Sequence, residues 1–162
     1  LSLKNKKLHR NFMGYTDQKT DVLLGLGVSA ISETPHSFHQ NEKVIALYES
    51  RLLKNEIPTF RGHVLNEEDK IRRQQILDLM TKYEVLFVNE QQKAEAELFV
   101  RTKEAEAQHY LASMIQDGLI EIKGQSLYMT EQGRPFLRNA CVFFDERLKT
   151  KQPPEKLFSK SI

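Results

Sequence analysis

The apolar and polar positions divide this chain into one compact apolar block near its start and a series of amphipathic segments behind it. The block is residues 22–31, preceded by a polar, turn-rich opening (His9, Arg10, Asn11, Gly14, Thr16, Asp17). An apolar run of this length between turn formers suits a strand buried on both faces, or a buried helix segment. It carries Gly25 and Gly27. Glycines at alternate positions weaken a strand interior, so they point to a ligand or another backbone close to one face, or to a tightly packed core strand. Residues 33–40 read as a loop, with Pro35 disfavouring helix at Thr34.

Behind the loop the period changes to that of helices. Asn41 is a good N-cap with Glu42 in the first turn, and Val44, Ile45, Leu47, Tyr48, Leu52 and Leu53 form an inward stripe. A helix is therefore predicted over 42–55, ended by Pro58. Residues 59–65 suit an edge strand or extended connector. Asn66, followed by Glu67, Glu68 and Asp69, marks a second helix start, with Ile76, Leu79, Met80 and Tyr83 lining one face to about residue 86. A further helix is expected over 94–117, packing Leu98, Leu111, Met114 and Ile115 inward, with 100–103 as its weak point.

Gly118 can close that helix in the left-handed conformation, with Leu119 folding back as the apolar contact. Strands at 119–122 and 126–130 joined through Gly124 form a hairpin. Thr130 then caps a third helix whose stripe is Leu137, Ala140, Cys141, Phe144 and Leu148, kinked at Pro135 and stopped by Pro153 and Pro154. Helix, helix, two-stranded wing, helix is a winged-helix-like order over residues 60–149. The fold class is α+β, mostly helical in its C-terminal part.

Composition narrows the function classes. At 162 residues the chain makes one domain, or one domain plus an appendage. With 40% hydrophobic and 28% charged residues it reads as globular, and a net charge of +2 demands neither nucleic acid nor an anionic membrane. No apolar run reaches transmembrane length, no signal peptide opens the chain, and a start at Leu1 inside a charged segment suggests a fragment or processed product. The basic opening (Lys4, Lys6, Lys7, Arg10) is a solvated terminus or a cationic rim for a polycarboxylate. A nucleic-acid reader would present cations on its reading helix. Here Lys93, Arg101 and Lys103 face five acids (Glu95, Glu97, Glu104, Glu106, Asp117), which opposes contact with phosphate.

Cys141 is the single cysteine, so no intrachain disulfide framework and no cluster on several cysteines can form, in keeping with a reducing cytoplasm. Its place on the apolar stripe makes it a buried small hydrophobe. His36 and His39, beside Pro35, read as polar loop groups rather than metal ligands.

The words LHRNFMGYT (8–16) and DVLLGLGVSAIS (21–32) resemble the oxygen-independent coproporphyrinogen III oxidases, radical S-adenosylmethionine (SAM) enzymes of haem biosynthesis. The resemblance continues collinearly in FHQN (38–41), FRGHVLNEEDKIRR (60–73), DGLIEI (117–122), MTEQGRPFLRNAC with FD (129–145) and FSKSI (158–162). It implies a curved radical-SAM (β/α) barrel followed by a mostly helical C-terminal domain that closes over the barrel mouth. In that family a [4Fe–4S] cluster on a C-x3-C-x2-C motif reductively cleaves SAM. The 5′-deoxyadenosyl radical takes a hydrogen from a propionate of coproporphyrinogen III, and loss of carbon dioxide and one electron leaves a vinyl. Two rounds give protoporphyrinogen IX.

On this resemblance, residues 1–40 are the end of the barrel, including a remnant of its last strand, and residues 41–162 are the covering domain. The cluster motif is absent, so the chain is expected to hold no metal ligand and no catalytic residue, and to be inactive alone. Ile31 matches a position that contacts SAM against the adenosine, or is simply a core-strand residue. Phe12 and Met13 match a neighbourhood near a second SAM. Some relatives carry glutamine at the position of Met13, and a thioether cannot donate an amide's hydrogen bonds. Gly14 and Tyr15 match without an assignable role. Arg72, Arg73, Arg138 and Asn139 match as structural groups, pairing with acids between domains. The implied partners are the chain's own N-terminal barrel and coproporphyrinogen III, with no nucleic acid and no membrane, in the cytoplasm. A barrel strand parted from its sheet would have to re-pair, self-associate or lie against the winged module, making residues 1–32 the least native-like part.

Overall fold

The computed structural model describes residues 7–87, 97–145 and 148, with the side chains of 97–101 left aside. The chain is mixed α/β with small antiparallel sheets, and it divides into two compact units, Leu1–Leu77 and Asp78–Ile162. Lys4, Lys6, Lys93, Glu95, Pro153, Pro154 and the closing FSKSI lie outside the described residues.

The first unit opens with a two-stranded ribbon, β1 (His9–Asn11) and β2 (Gly14–Thr16), turned at Phe12-Met13. Gly14 at φ +137° makes that turn, and the Met13 amide donates to Asn11 Oδ1 at 2.9 Å. A three-stranded antiparallel sheet follows in the order β3 (Ile31–Glu33), β4 (Ser37–Asn41), β5 (Thr59–Val64). The expected edge strand at 59–65 is β5. Residues 33–40 are not a loop but most of the β3–β4 hairpin. Pro35 sits in its tight turn, where Thr34 Oγ1 accepts from the amides of His36 (3.1 Å) and Ser37 (2.9 Å). His39 therefore lies on a strand, not in a loop.

The apolar block is not a continuous strand either. Only Ile31 belongs to β3, and Leu23 makes an isolated bridge to Glu33. Gly27 (φ +98°) and Ser29 (φ +62°) take the chain out of extended geometry. The glycine reading holds in one respect: a Cβ on Gly25 would stand 2.6 Å from the Ile31 carbonyl oxygen, so another backbone does lie against it. The segment is pinned by polar groups. Asn41 Nδ2 donates to the carbonyls of Gly25 (3.1 Å) and Gly27 (2.9 Å), and the Gly27 amide donates to the Tyr48 hydroxyl (3.2 Å). Asn41 is thus a buried loop clamp rather than a helix cap.

The helix α1 (Ile45–Leu53) begins at Val44, without a side-chain cap, three residues later than expected. Its stripe does not pack inward. Val44, Ile45, Leu47, Leu52 and Leu53 are exposed, and Tyr48 is half-buried. Glu42 is buried and pairs with Arg51 at 3.0 Å instead of acting in the first turn. Among the described residues, the unit's buried positions are mostly polar: Ser32, Glu33, Asn41 and Glu42 beside Leu65 and Pro58.

The helix α2 (Glu67–Lys82) has the expected N-cap: the Asp69 amide donates to Asn66 Oδ1 at 2.7 Å and Asn66's amide to Asp69 Oδ2 at 3.3 Å. It stops four residues before 86, because Tyr83 at φ +60° turns the chain into a strand the helical pattern concealed, β6 (Glu84–Leu86).

In the second unit the helical run after the undescribed 88–96 is α3 (Glu97–Tyr110) and α4 (Ala112–Gln116), broken at the buried Leu111 rather than at 100–103. Gly118 (φ +68°) closes α4 with the expected pair of bonds, its own amide to Ile115 O and the Leu119 amide to Met114 O. The hairpin is β7 (Ile120–Lys123) and β8 (Ser126–Met129), and β6 adds to β8, giving the order β6-β8-β7. Thr130 does not cap a long third helix. Its hydroxyl donates to Gly118 O (2.8 Å) and accepts from the Gly133 amide (3.0 Å). Pro135 sits in a 3₁₀ turn (Arg134–Phe136), where no helical bond is lost, ahead of α5 (Leu137–Cys141) and a second 3₁₀ turn (Val142–Phe144). Leu137, Ala140, Cys141 and Phe144 are buried as the stripe predicts, while Leu148 is exposed. Among the described residues the core is mainly apolar, from Leu79, Val85 and Leu111 to Ile120, Leu127 and the contacting rings of Phe87, Phe143 and Phe144, with Ser126 as its buried polar residue.

Candidate functional site

The register of the first unit's sheet places six side chains in two rows on one face, because paired residues share a face and alternate residues repeat it. One row is Glu33, Phe38 and His63; the next is Ile31, Gln40 and Arg61.

Helix α2 closes the first row. Arg73 pairs with Glu33, donates to the Thr34 carbonyl at 2.8 Å, and sets its guanidinium 4.9 Å from the centre of the Phe38 ring. One turn earlier Asp69 Oδ2 lies 2.8 Å from His63 Nε2. An i, i+4 pair on one helix thus meets both ends of the row. Glu33 is buried, and its other carboxylate oxygen accepts from the Phe12 amide at 3.0 Å, fastening the ribbon tip to β3. The second row stays open. A cavity of about 220 Å³ is lined by Ile31, Phe38, His39, Gln40, Arg61, Gly62 and His63.

The three candidate residues fall around this face. Ile31 is half-buried and lines the cavity. Phe12 and Met13 sit at the exposed ribbon tip, tied to β3 through Glu33. A three-cysteine cluster has no seat in this chain: its one cysteine, Cys141, is buried, and among the described residues no group of three or more His, Cys, Asp or Glu could hold a metal ion.

The other matched residues separate. Arg73 reaches Glu33, whereas Arg72 pairs with Glu68 on its own helix, and Arg138 and Asn139 are exposed on α5. Sequence reasoning missed Glu33, Gln40, Asn41's clamp and Arg61. Their signal was the pairing of two short strands, which becomes visible only once 33–41 is a hairpin. No helix of the described residues is long and apolar enough to cross a membrane.

The chain matches no protein-family model. It is 36% identical over 147 residues to the oxygen-independent coproporphyrinogen III oxidase of Salmonella typhimurium, covering 89% of this chain and 31% of that protein. The enzyme of that name from Escherichia coli is 34% identical over 144 residues, with the same coverage. That from Synechocystis is 30% identical over 164 residues, covering 100% of this chain and 35% of the relative. Among solved structures, the coproporphyrinogen III oxidase of Escherichia coli, described as a radical SAM enzyme, superposes with a TM-score of 0.77 at 33% identity over 91% of this chain and 33% of its own. The chain spans about a third of the length of the curated relatives it matches. Likeness in sequence along most of the chain and likeness in fold agree: the chain is similar to about a third of the length of the oxygen-independent coproporphyrinogen III oxidases, of which the Escherichia coli structure is described as a radical SAM enzyme.

Proposed function

We propose that this chain is the C-terminal part of an oxygen-independent coproporphyrinogen III oxidase, which converts two propionates of coproporphyrinogen III to the vinyls of protoporphyrinogen IX in the cytoplasm. The observation that carries the reading is the collinear likeness over nearly the whole chain together with the fold match. SAM and the [4Fe–4S] cluster supply the radical chemistry in the assembled enzyme, and the cluster ligands lie outside this chain. Residues 1–40 complete the barrel end and 41–162 form the cover, with the second unit's helices and hairpin as its winged-helix-like element. Ile31, Phe12 and Met13 face the SAM region.

A cover suits the chemistry, because a primary carbon radical must be kept from water and from side reactions. The first unit supports this role. It exposes Phe12, Met13, Leu24, Leu26, Ile45, Leu47 and Leu53 while burying carboxylates and an amide, the reverse of a self-sufficient core. An N-terminal barrel of the same protein is the partner that would cover such a surface.

The test is a chimera. This chain replaces the corresponding third of the Escherichia coli enzyme, and the anaerobic product formed with SAM and reductant is oxidised and measured as protoporphyrin IX. We expect product from the cluster-loaded chimera and none from the 162-residue chain. A folded, cluster-loaded chimera without turnover would overturn the reading, and product from the isolated chain would overturn its inactivity.

A further inference from the structure

We propose that the open row Ile31–Gln40–Arg61 is a seat for an aliphatic carboxylate, with the Arg61 guanidinium as the anion-binding group. The arginines of the first unit are otherwise engaged: Arg51 with Glu42, Arg72 with Glu68, Arg73 with Glu33, and Arg10 over the ring of Tyr15. Arg61 differs. Its Nε donates to Gln40 Oε1 at 3.1 Å, and Gln40 Nε2 in turn donates to the Ser29 carbonyl at 3.0 Å. The fold therefore spends two side-chain bonds on orienting a guanidinium, and among the described residues its two terminal nitrogens have no acceptor.

The surroundings fit a carboxylate on a short carbon stem. No acid lines the cavity, and the two carboxylates nearby, Glu33 and Asp69, are engaged by Arg73 and His63. Ile31 and Phe38 offer apolar walls for methylenes. The terminal nitrogens of a guanidinium match the two oxygens of a carboxylate as a fork. Size limits the ligand: about 220 Å³ is smaller than the roughly 300–1,000 Å³ that encloses a whole small molecule. The seat takes an arm, not a tetrapyrrole. Resting on the function proposed above, that arm is either a propionate of coproporphyrinogen III or the methionyl carboxylate of SAM, two sources of one chemistry.

Nuclear magnetic resonance titration of the 162-residue chain tests the seat with sodium propionate, and with propionamide as the uncharged control. We expect propionate to shift the backbone amides of Gln40 and Gly62, propionamide not to, and Arg61→Gln to weaken propionate about tenfold or more. Arg61→Lys should restore only part, since an ammonium lacks the fork. Equal shifts with propionamide, no shifts with propionate, or an unchanged Arg61→Gln titration would overturn the seat. Coproporphyrin III and SAM are then added as competitors. Displacement of propionate by one of them supports the seat and names the source. Propionate binding that neither displaces supports the carboxylate seat and overturns its assignment to the propionate or to SAM, while turnover of the chimera tests the enzyme reading separately, so the two failures are told apart.

Discussion

Glu33 and Arg73, forty residues apart in sequence, form an ion pair whose side chains are 10% and 23% exposed. Around it gather the Phe12 amide, the Thr34 carbonyl and the ring of Phe38. One contact thus joins the ribbon, the sheet and α2. Removing one member of a desolvated pair leaves a buried charge, which costs more than removing both.

Arg73→Ala is therefore expected to lower stability by about 3 kcal/mol, read as a shift of the urea midpoint. Glu33→Gln combined with Arg73→Met should cost clearly less than the sum of the single changes. Strict additivity would show that the pair is incidental to the fold.

Asn41 is a clamp of a different kind, since both its amide bonds end on carbonyls of the apolar segment. Asn41→Ala should cost about 2 kcal/mol and speed hydrogen exchange at Gly25 and Gly27, while amides of β8 keep their protection. Asn41→Asp should be worse than alanine, because a carboxylate brings only acceptors to two acceptors.

Glycine replacements should separate space from backbone strain. A Cβ on Gly133 would lie 1.8 Å from the Leu119 carbonyl oxygen, so Gly133→Ala should cost about 3 kcal/mol or more. Gly124, at φ +57° in the hairpin with open space around it, should lose only about 1 kcal/mol as alanine. Thermal melts of the two variants give the comparison.

The first turn of α2 carries a small acid-sensitive contribution to stability. The hydrogen bond from Lys70 holds the Glu67 carboxyl below its ordinary value, with the lysine's charge acting in the same direction. A lowered folded-state value stabilises above the ordinary carboxylate range, and that contribution is lost as pH falls through the folded value. Glu67→Gln should thus lower the urea midpoint slightly near neutral pH and leave it unchanged in acid below the carboxylate range. An equal effect at both would assign it to helix propensity instead.

The exposed apolar side chains give a fifth test. Leu26 is 90% and Leu53 86% exposed. Leu26→Lys with Leu53→Lys should change stability by no more than about 0.5 kcal/mol each while reducing self-association in sedimentation velocity. An unchanged mass distribution would locate any association elsewhere.

The second unit was the more legible in sequence, because its signals are local. The Gly118 closure, the Gly124 hairpin and the stripe from Leu137 to Phe144 each need only a few neighbouring residues, and each appears. The first unit misleads because polar side chains do the work apolar ones usually do. Asn41 looks like a cap but ties a loop; the α1 stripe looks like a core face but is exposed; 22–31 looks like a strand but bends at Gly27 and Ser29. Of the residues lining the cavity, family resemblance singled out only Ile31 as a candidate. Arg61 and Gln40 meet it through strand register, which a linear pattern does not encode.

The bends at Gly27 and Ser29 carry one more consequence. Fibril-forming segments need six or seven consecutive residues in flat, extended geometry. Val22, Leu24 and Leu26 meet the compositional requirement and are open to solvent, but the chain turns out of extension immediately after them. Their side chains can adhere to another apolar surface, yet their backbone offers too short a template for ordered stacking. Concentrated samples should cloud into amorphous, redissolving precipitate rather than seed thioflavin-positive fibres.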